Sequence, residues 1–372
     1  MQHATVLRNA VKVQRVSLET IAKAAGVHKA TVSRSLRNHP TIPRETRDRI
    51  QQIAKELGYR PNPLVSMFQS QARASRPLYM QAALGWVNDY PNESCWRDFP
   101  WLRGYLSGAR ARCEEMGYRL EQVNFGLNEQ SFEAEFERVS DYLRRSGIYG
   151  LVMPLVLNAR LLQTRWENSV ISVIGGAHLD VPEGADNFKI RIYPQNFPSA
   201  DRDLYYNSRL AFQHLVQMGY HRIGLVYSRY LDDESHGRAR SGFLLEQAAL
   251  PSDDQVPILF LERFKEGRPE EFEKWLDAYR PEVILCVNPV VREWVEDLGL
   301  SVPDDIGLAN LNIVDDVSEW GGICENHEVI GASAVDLIIS ALTRNEIGLP
   351  PEPRKVLVPG SWRQGNTLKY IV

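Results

Sequence analysis

The polar and apolar positions divide the chain into two regimes. In the first, apolar residues recur at helical spacing. Along VSLETIAKAAGVHKATVSRSL, from Val16 to Leu36, a helix is predicted after Ser17, an N-cap candidate, with Leu18, Ile21, Ala22 and Ala25 on one face. Gly26 supplies a turn that a larger residue would strain, and small Ala22 and Ala25 let two helices cross closely. A second helix, from about Lys29 to Leu36, buries Val32 and Leu36. It leaves Lys29, Ala30, Thr31, Ser33, Arg34 and Arg37 facing outward, a basic face free of carboxylates. Two helices joined this way can project one of them into a nucleic-acid groove, whereas an ordinary core hairpin would not spend its outer face on cations.

From Gln81 the pattern changes to short apolar runs separated by amphipathic stretches: ALGWV, LRGYLSGARARCEEMGY, RLEQVNF, SFEAEFERVSDYLRRSG, YGLVMPLV and SVIGGA. Strand and helix alternating at this rhythm predict a parallel sheet covered by helices on both faces. A second round follows from Leu204, with strands RIGLVYS, VPILFL, EVILCV and IGLANL separated by helices, so the body reads as two α/β lobes.

A chain of 372 residues suits a small headpiece and a two-lobed core, and a hydrophobic fraction of 44% is enough to fill those cores. The net charge of -4 conceals an uneven division. Residues 1–76 hold 14 Lys and Arg against 4 Asp and Glu, a net of +10, and the rest of the chain carries -14. The basic end fits a polyanion, while the acidic body stays off phosphates. Cys95, Cys113, Cys286 and Cys324 show no paired spacing, which suggests neither a zinc site nor a disulfide framework and points to a reducing cytoplasm. No export signal or membrane-length apolar run is evident.

The run from Val16 to Tyr59 resembles, without a gap, the DNA-binding headpiece of the lactose/galactose repressor (LacI/GalR) family: IAKAAGV, then TVSRSL, then PRETRDRIQQIAKELGYRPN. The resemblance implies an all-α helix-turn-helix headpiece over 16–60. Its third helix, about Pro43 to Leu57 with Ile50, Ile53, Ala54 and Leu57 inward, braces the other two. Residues 1–15 then read as a flexible basic arm and 61–77 as a hinge whose short helix orders on DNA. Met67 and Phe68 stand where the family places an apolar minor-groove wedge, usually a leucine. The alternatives are that Leu64, Met67 and Phe68 pack between subunits, or that this is a linker with no fixed helix.

For the body, residues 78–372, the resemblance implies an α/β two-lobed fold like periplasmic sugar-binding proteins, with parallel sheets. AFQHLVQMGYHRIGLV, EDLGLSVPDDIGLANL and the terminal WRQGNT carry this likeness. The expected lobes are 78–182 with 322–347, and 183–321 with 348–372; IGASAVDLIISALTRNEI returns to the first lobe and RKVLVPGSWRQ lies in the second. The implied partners are a near-palindromic double-stranded operator, a second copy of the chain in a homodimer, and a small-molecule effector of sugar type. No cofactor and no membrane are implied, and the protein would work in the bacterial cytoplasm, associated with the nucleoid when bound to DNA.

By alignment to the family, Lys29, Ala30 and Arg34, with His28 adjoining, occupy base-reading positions. Lys29 and Arg34 can donate to guanine edges, and Ala30 offers only a methyl-sized contact. Thr31, Ser33, Arg37, Thr46, Tyr59 and Asn62 are assigned to phosphates and positioning. In the body a ligand is expected between the lobes, at the carboxyl ends of the strands. Trp96, Phe99 and Trp101 could face a sugar-like ring there, or could equally be core or dimer packing. The family's usual effector arginine falls at Ala239, with Arg238 and Arg240 alongside; its usual acidic residue falls at Asn312, while an asparagine is kept at Asn288 and followed by Pro289. These departures leave open an unusual carbohydrate ligand or a pocket without small-molecule control.

Catalytic chemistry finds little support. Asp201 and Asp203, Asp232 and Asp233, Asp253 and Asp254, Asp304 and Asp305, and Asp315 and Asp316 are paired carboxylates, but most lie where aspartate caps and turns the chain. His214, His221, His236 and His327 lack the spacing of a metal cluster, and neither a phosphate-cradling loop nor a nucleophile elbow is present.

Overall fold

The computed structural model describes residues 18–36, 41–57, 59, 82–88, 99–125, 132–154, 161, 166, 169–174, 197–262, 264, 267–314, 319–344 and 346–371. The first body of structure is three helices: α1 Leu18–Ala25, α2 Lys29–Leu36 and α3 Arg44–Glu56. Ile21, Ala22, Ala25, Val32, Ile50 and Ala54 form their core, with Leu18, Val27, Leu36, Ile53 and Tyr59 packed around it. Helix α1 stops because Gly26 takes φ +66°, a left-handed turn in which Val27 N–H donates to the Ala22 carbonyl at 3.0 Å. Two expectations shift here. Ser35, not Leu36, is fully buried on α2, because Gln51 of α3 reaches across to donate to the Ser35 carbonyl at 3.0 Å and packs the helices at that point. Leu57 is 38% exposed rather than inward; it stands at the C-cap of α3, past the last helical residue Glu56, where the core of Ile50 and Ala54 has ended.

The rest of the chain builds two six-stranded sheets. The first has the order β11-β5-β4-β3-β1-β2, from β1 Ala82–Asn88, β2 Tyr118–Asn124, β3 Gly150–Pro154, β4 Val170–Ile174, β5 Ser199–Arg202 and β11 Lys355–Val358, all parallel. Alternate residues serve opposite faces. Leu84 and Trp86 of β1 join a core with α4 Pro100–Glu115 and α11 His327–Arg344, while Ala83 and Val87 join one with α5 Phe132–Ser146. The second sheet has the order β12-β10-β9-β8-β6-β7, from β6 Ile223–Ser228, β7 Leu259–Leu261, β8 Val283–Cys286, β9 Gly307–Ile313, β10 Gly321–Cys324 and an antiparallel edge β12 Ser361–Arg363. Helices α6 Leu204–Gln217 and α8 Arg238–Gln247 cover one face, and α9 Glu270–Tyr279 and α10 Val290–Glu296 the other; α7 Arg229–Glu234 follows β6.

The lobe boundaries differ from those expected near 183, 322 and 348. Strands β5 and β11 pair with each other in the first sheet, and β10 lies in the second, so the chain crosses at Asp203, at 325–326 and at 359–360. The cause is SADR, a strand with no apolar alternation: Asp201 and Arg202 are buried by ion pairing, so hydrophobic periodicity does not reveal it. KVLV therefore belongs to the first lobe and only SWR to the second.

Candidate nucleic-acid interface and ligand cleft

Helix α2 is held by its buried side while its opposite side is open. His28, Lys29, Ala30 and Arg34 are exposed, and Thr31 and Ser33 are half-buried at the flanks. Ala30 and Arg34, four residues apart, share one stripe of the helix. His28 has a structural task, since its Nδ1 accepts from Ala30 N–H at 3.3 Å and so caps the start of α2. Thr46, in the first turn of α3, and Tyr59 are half-buried. The three-helix frame thus presents a cationic, carboxylate-free stripe on a braced helix. Arg37, Asn62, Met67, Phe68 and the arm 1–15 lie outside the described residues, as does Trp96.

The second candidate site lies at the carboxyl ends of the strands. Register pairs Val226 with Cys286 and Cys286 with Asn310 across β6, β8 and β9. Two residues further on, Ser228, Asn288 and Asn312 stand at one level along the edge of the second sheet. Ser228 caps α7 by accepting from Leu231 N–H at 3.0 Å, and Asn288 accepts from Val290 N–H at 3.0 Å at the start of α10. Asn312 keeps a buried Oδ1 with no hydrogen-bond partner. Asp232, 7% exposed, pairs with Arg240 at 3.3 Å, and burial pushes its carboxyl above the ordinary aspartate value. On the first sheet, buried Asn88 donates to Asn124 Oδ1 at 3.1 Å, joining the ends of β1 and β2.

Phe99, 38% exposed at the N-cap of α4, lies 5.4 Å from the half-buried Trp101 between ring centroids. Trp101 is 6.0 Å from Tyr105, and Tyr105 is 5.1 Å from His327. This aromatic series leads into a buried charged group at the lobe junction. Arg238 donates to Asp201 Oδ2 at 2.5 Å and to the Arg202 carbonyl at 3.2 Å. Arg202 Nη1 lies 3.5 Å from both Glu325 oxygens, and His327 Nε2 lies 3.3 Å from Glu325 Oε2. Burial alone would lower the Arg202 guanidinium, but Glu325, Tyr105 and Asp201 carry it above its ordinary value, so it stays charged. Burial also pushes Tyr227 to about 12, against the opposing charge of Arg202.

Of the residues expected to contact an effector, Phe99 at the N-cap of α4, Asn288 just beyond β8 and Asn312 near the end of β9 stand on the carboxyl side of the sheets, while Arg240 lies in the first turn of α8. Arg238 is committed to the first-lobe residues Asp201 and Arg202, and Ala239 is buried in the second-lobe core. Asp203 caps α6 by accepting from Tyr206 N–H at 3.0 Å, and Asp305 accepts from Ser301 N–H at 2.8 Å, both turn-and-cap roles. Asp201 is different, a buried ion-pair member that the spacing of carboxylates gave no means of separating from its neighbours. Arg202, Glu325 and Tyr105 were likewise unsignalled. Among the described residues no group of three or more His, Cys, Asp or Glu could hold a metal ion, and no helix is long and apolar enough to cross a membrane.

A braced helix-turn-helix unit ahead of two α/β lobes, with polar groups at the carboxyl ends of the strands, is the architecture of a DNA-binding regulator joined to a body of ligand-binding type. Residues 17–62 match the family model of the bacterial regulatory proteins, lacI family. The chain is 28% identical over 216 residues to the HTH-type transcriptional regulator CelR of Thermobifida fusca, covering 57% of this chain and 56% of that protein. It is 21% identical over 306 residues to catabolite control protein A of Staphylococcus epidermidis, covering 80% and 82%. The first of these alignments spans little more than half the relative's length. Among solved structures, a CelR–cellobiose complex matches with a TM-score of 0.51 at 18% identity, covering 95% of this chain and all of that one. The Lac repressor dimer bound to operator and the anti-inducer ONPF matches at 0.50 and 16%, covering 95% and 99%. These structural likenesses describe the shared two-lobed fold.

Proposed function

We propose that the protein is a sequence-specific DNA-binding transcription regulator, a repressor of carbohydrate-related genes, that acts as a cytoplasmic homodimer on a near-palindromic operator under small-molecule control. The observation that carries this reading is the exposed Lys29–Ala30–Arg34 side of α2, set on a core closed by α1 and α3. Lys29 and Arg34 donate to base edges, Ala30 supplies a methyl-sized contact, and Thr31, Ser33, Arg37, Thr46, Tyr59 and Asn62 position the headpiece on phosphates. Met67 and Phe68 supply the minor-groove wedge. Two-fold symmetry of the dimer matches two half-sites.

For the effector, a neutral sugar or sugar derivative fits the cleft better than an acid. Arg238 is answered by Asp201 and Arg240 by Asp232, while Asn288 and Asn312 offer amides that both donate and accept. The structural neighbour solved as a CelR–cellobiose complex supports the same class. Phe99 and Trp96 supply the apolar face. A second reading, an activator or DNA binder with a silent pocket, is favoured by the buried methyl of Ala239 where the family resemblance puts a ligand-reading arginine. Selection of bound duplexes from random DNA, followed by titration of cellobiose and other neutral sugars against the complex, tests both. Recovery of a two-fold symmetric site whose affinity changes with a sugar supports the first reading. A selected site insensitive to every sugar favours the second, and failure to enrich any sequence refutes both.

A further inference from the structure

The buried charges at the lobe junction form a chain of contacts drawn from one strand end, one helix start and one crossover. Asp201 and Arg202 end β5 of the first sheet; Arg238 opens α8 of the second lobe; Glu325 sits between β10 of the second sheet and α11 of the first lobe. Arg238 reaches Asp201 at 2.5 Å, and Arg202 faces Glu325 at 3.5 Å, with the Arg202 side chain 7% and the Glu325 side chain 1% exposed. We propose that these four residues are an interlobe latch, which holds the lobes at the angle seen here and releases when ligand in the cleft displaces α8 or the start of α4.

Three observations carry this. First, the contacts span the places where the chain passes between lobes, so a change in lobe angle cannot leave them intact. Second, breaking such a pair while its members stay buried leaves an uncompensated charge, which penalises intermediate angles and favours two discrete arrangements. Third, both ends of the cluster reach the cleft. The Phe99–Trp101–Tyr105–His327 series runs to Glu325 from one wall. From the other, Arg240, two residues beyond Arg238 on α8, meets Asp232. The pairing is also unsaturated, since the buried Arg202 Nε has no hydrogen-bond partner and Nη1 meets Glu325 only at the outer limit of hydrogen bonding. Arg202 is therefore placed to exchange partners rather than to be fixed for good.

The latch rests on the regulator reading only for its consequence at DNA. Its test uses the full chain carrying spin labels, introduced as non-natural amino acids, at Tyr142 of α5 and Tyr279 of α9; both are exposed and they lie in different lobes. Interlobe distance distributions are compared for wild type, Arg238→Gln, Asp201→Asn and the double variant, which stays neutral at both positions if a single variant does not fold. The latch predicts a displaced distribution in each single variant and no further displacement in the double. It also predicts a change of at least about fivefold in affinity for a selected operator, the lower end of ordinary allosteric coupling. Distributions coincident with wild type overturn it, including the case in which only the melting temperature falls. Displaced distances with unchanged operator affinity support the latch and count against the regulator reading.

Discussion

Replacing Arg34 by alanine separates reading from anchoring on α2. Arg34 is exposed, outside the core of Ile21, Val32, Ile50 and Ala54, so its removal should alter headpiece stability by less than about 0.5 kcal/mol. Ala30 and Arg34 lie about 6 Å apart along the helix axis, close to two base-pair steps of about 3.4 Å, so they address different base pairs. A bidentate arginine–guanine contact is worth about 1–3 kcal/mol of discrimination, or about 5- to 150-fold per half-site. In a homodimer both half-sites lose it, which makes about 2–6 kcal/mol on a symmetric operator. Fluorescence anisotropy against a set of operators changed one base pair at a time reads the difference directly. Loss should be large on the preferred operator and vanish on operators already altered at the guanine that Arg34 reads. A uniform loss over every variant, with the salt slope reduced by about one, would show a phosphate contact and refute the assignment.

Asp232→Asn should stabilise the second lobe near neutral pH. Burial raises the Asp232 carboxyl, so the folded state favours its protonated form; its contribution is present below the unfolded pKa and lost as pH rises through the folded one. Above that range its buried, unpartnered Oδ1 is a standing cost of about 1 kcal/mol that the 45% exposed Arg240 offsets only in part. Urea unfolding should show the gain at pH 7 and its decline toward about pH 4, and a loss of stability at pH 7 would contradict the sign. Gly331→Ala tests how closely α4 and α11 cross. A Cβ there would meet the Tyr105 carbonyl oxygen at 2.0 Å and Ala109 N at 3.0 Å, backbone that cannot rotate aside, so a loss of about 3 kcal/mol is expected in thermal unfolding. Gly147→Ala, at φ +69° with open space around it, should cost about 1 kcal/mol, and equal losses at the two sites would sink the steric account.

The headpiece was legible in the sequence because a small core leaves little room for ambiguity. Ile21, Ala22, Ala25 and Val32 stand at the predicted spacing, and the outward Lys29, Ala30 and Arg34 follow from it. The apolar strands of both sheets were equally plain, since ILC and GLVYS have few alternatives. What periodicity could not show were elements whose burial depends on distant charge. SADR has no apolar alternation, yet it is a buried strand because Arg238, 37 residues away from Asp201, neutralises it. Nor does a single sequence reveal close backbone approach: Gly108 and Gly331 look like weak points in helices until the Glu328 and Tyr105 carbonyls are seen against them.

The same contrast explains the departure at Ala239. One residue along a helix is a rotation of about 100°, so placing the guanidinium at Arg238 instead of Ala239 turns it from the direction the family resemblance assigns to ligand reading. The methyl at 239 packs with Phe212 and Phe243 in the core, and the charge at 238 meets Asp201 on the other lobe. On the proposed function, a contact that would read the ligand directly is replaced by one that senses the angle between lobes. The proposed reading of the ligand then falls to groups that carry little net charge, Arg240 with Asp232 and the amides of Asn288 and Asn312. Arg240→Gln should therefore weaken ligand binding while leaving the unliganded lobe angle unchanged, whereas Arg238→Gln should shift the angle with no ligand present. Isothermal titration with whichever sugar shifts operator affinity, set beside the interlobe distances, measures both effects. If the two variants behave alike in both assays, ligand reading and lobe locking are not divided between these neighbouring arginines.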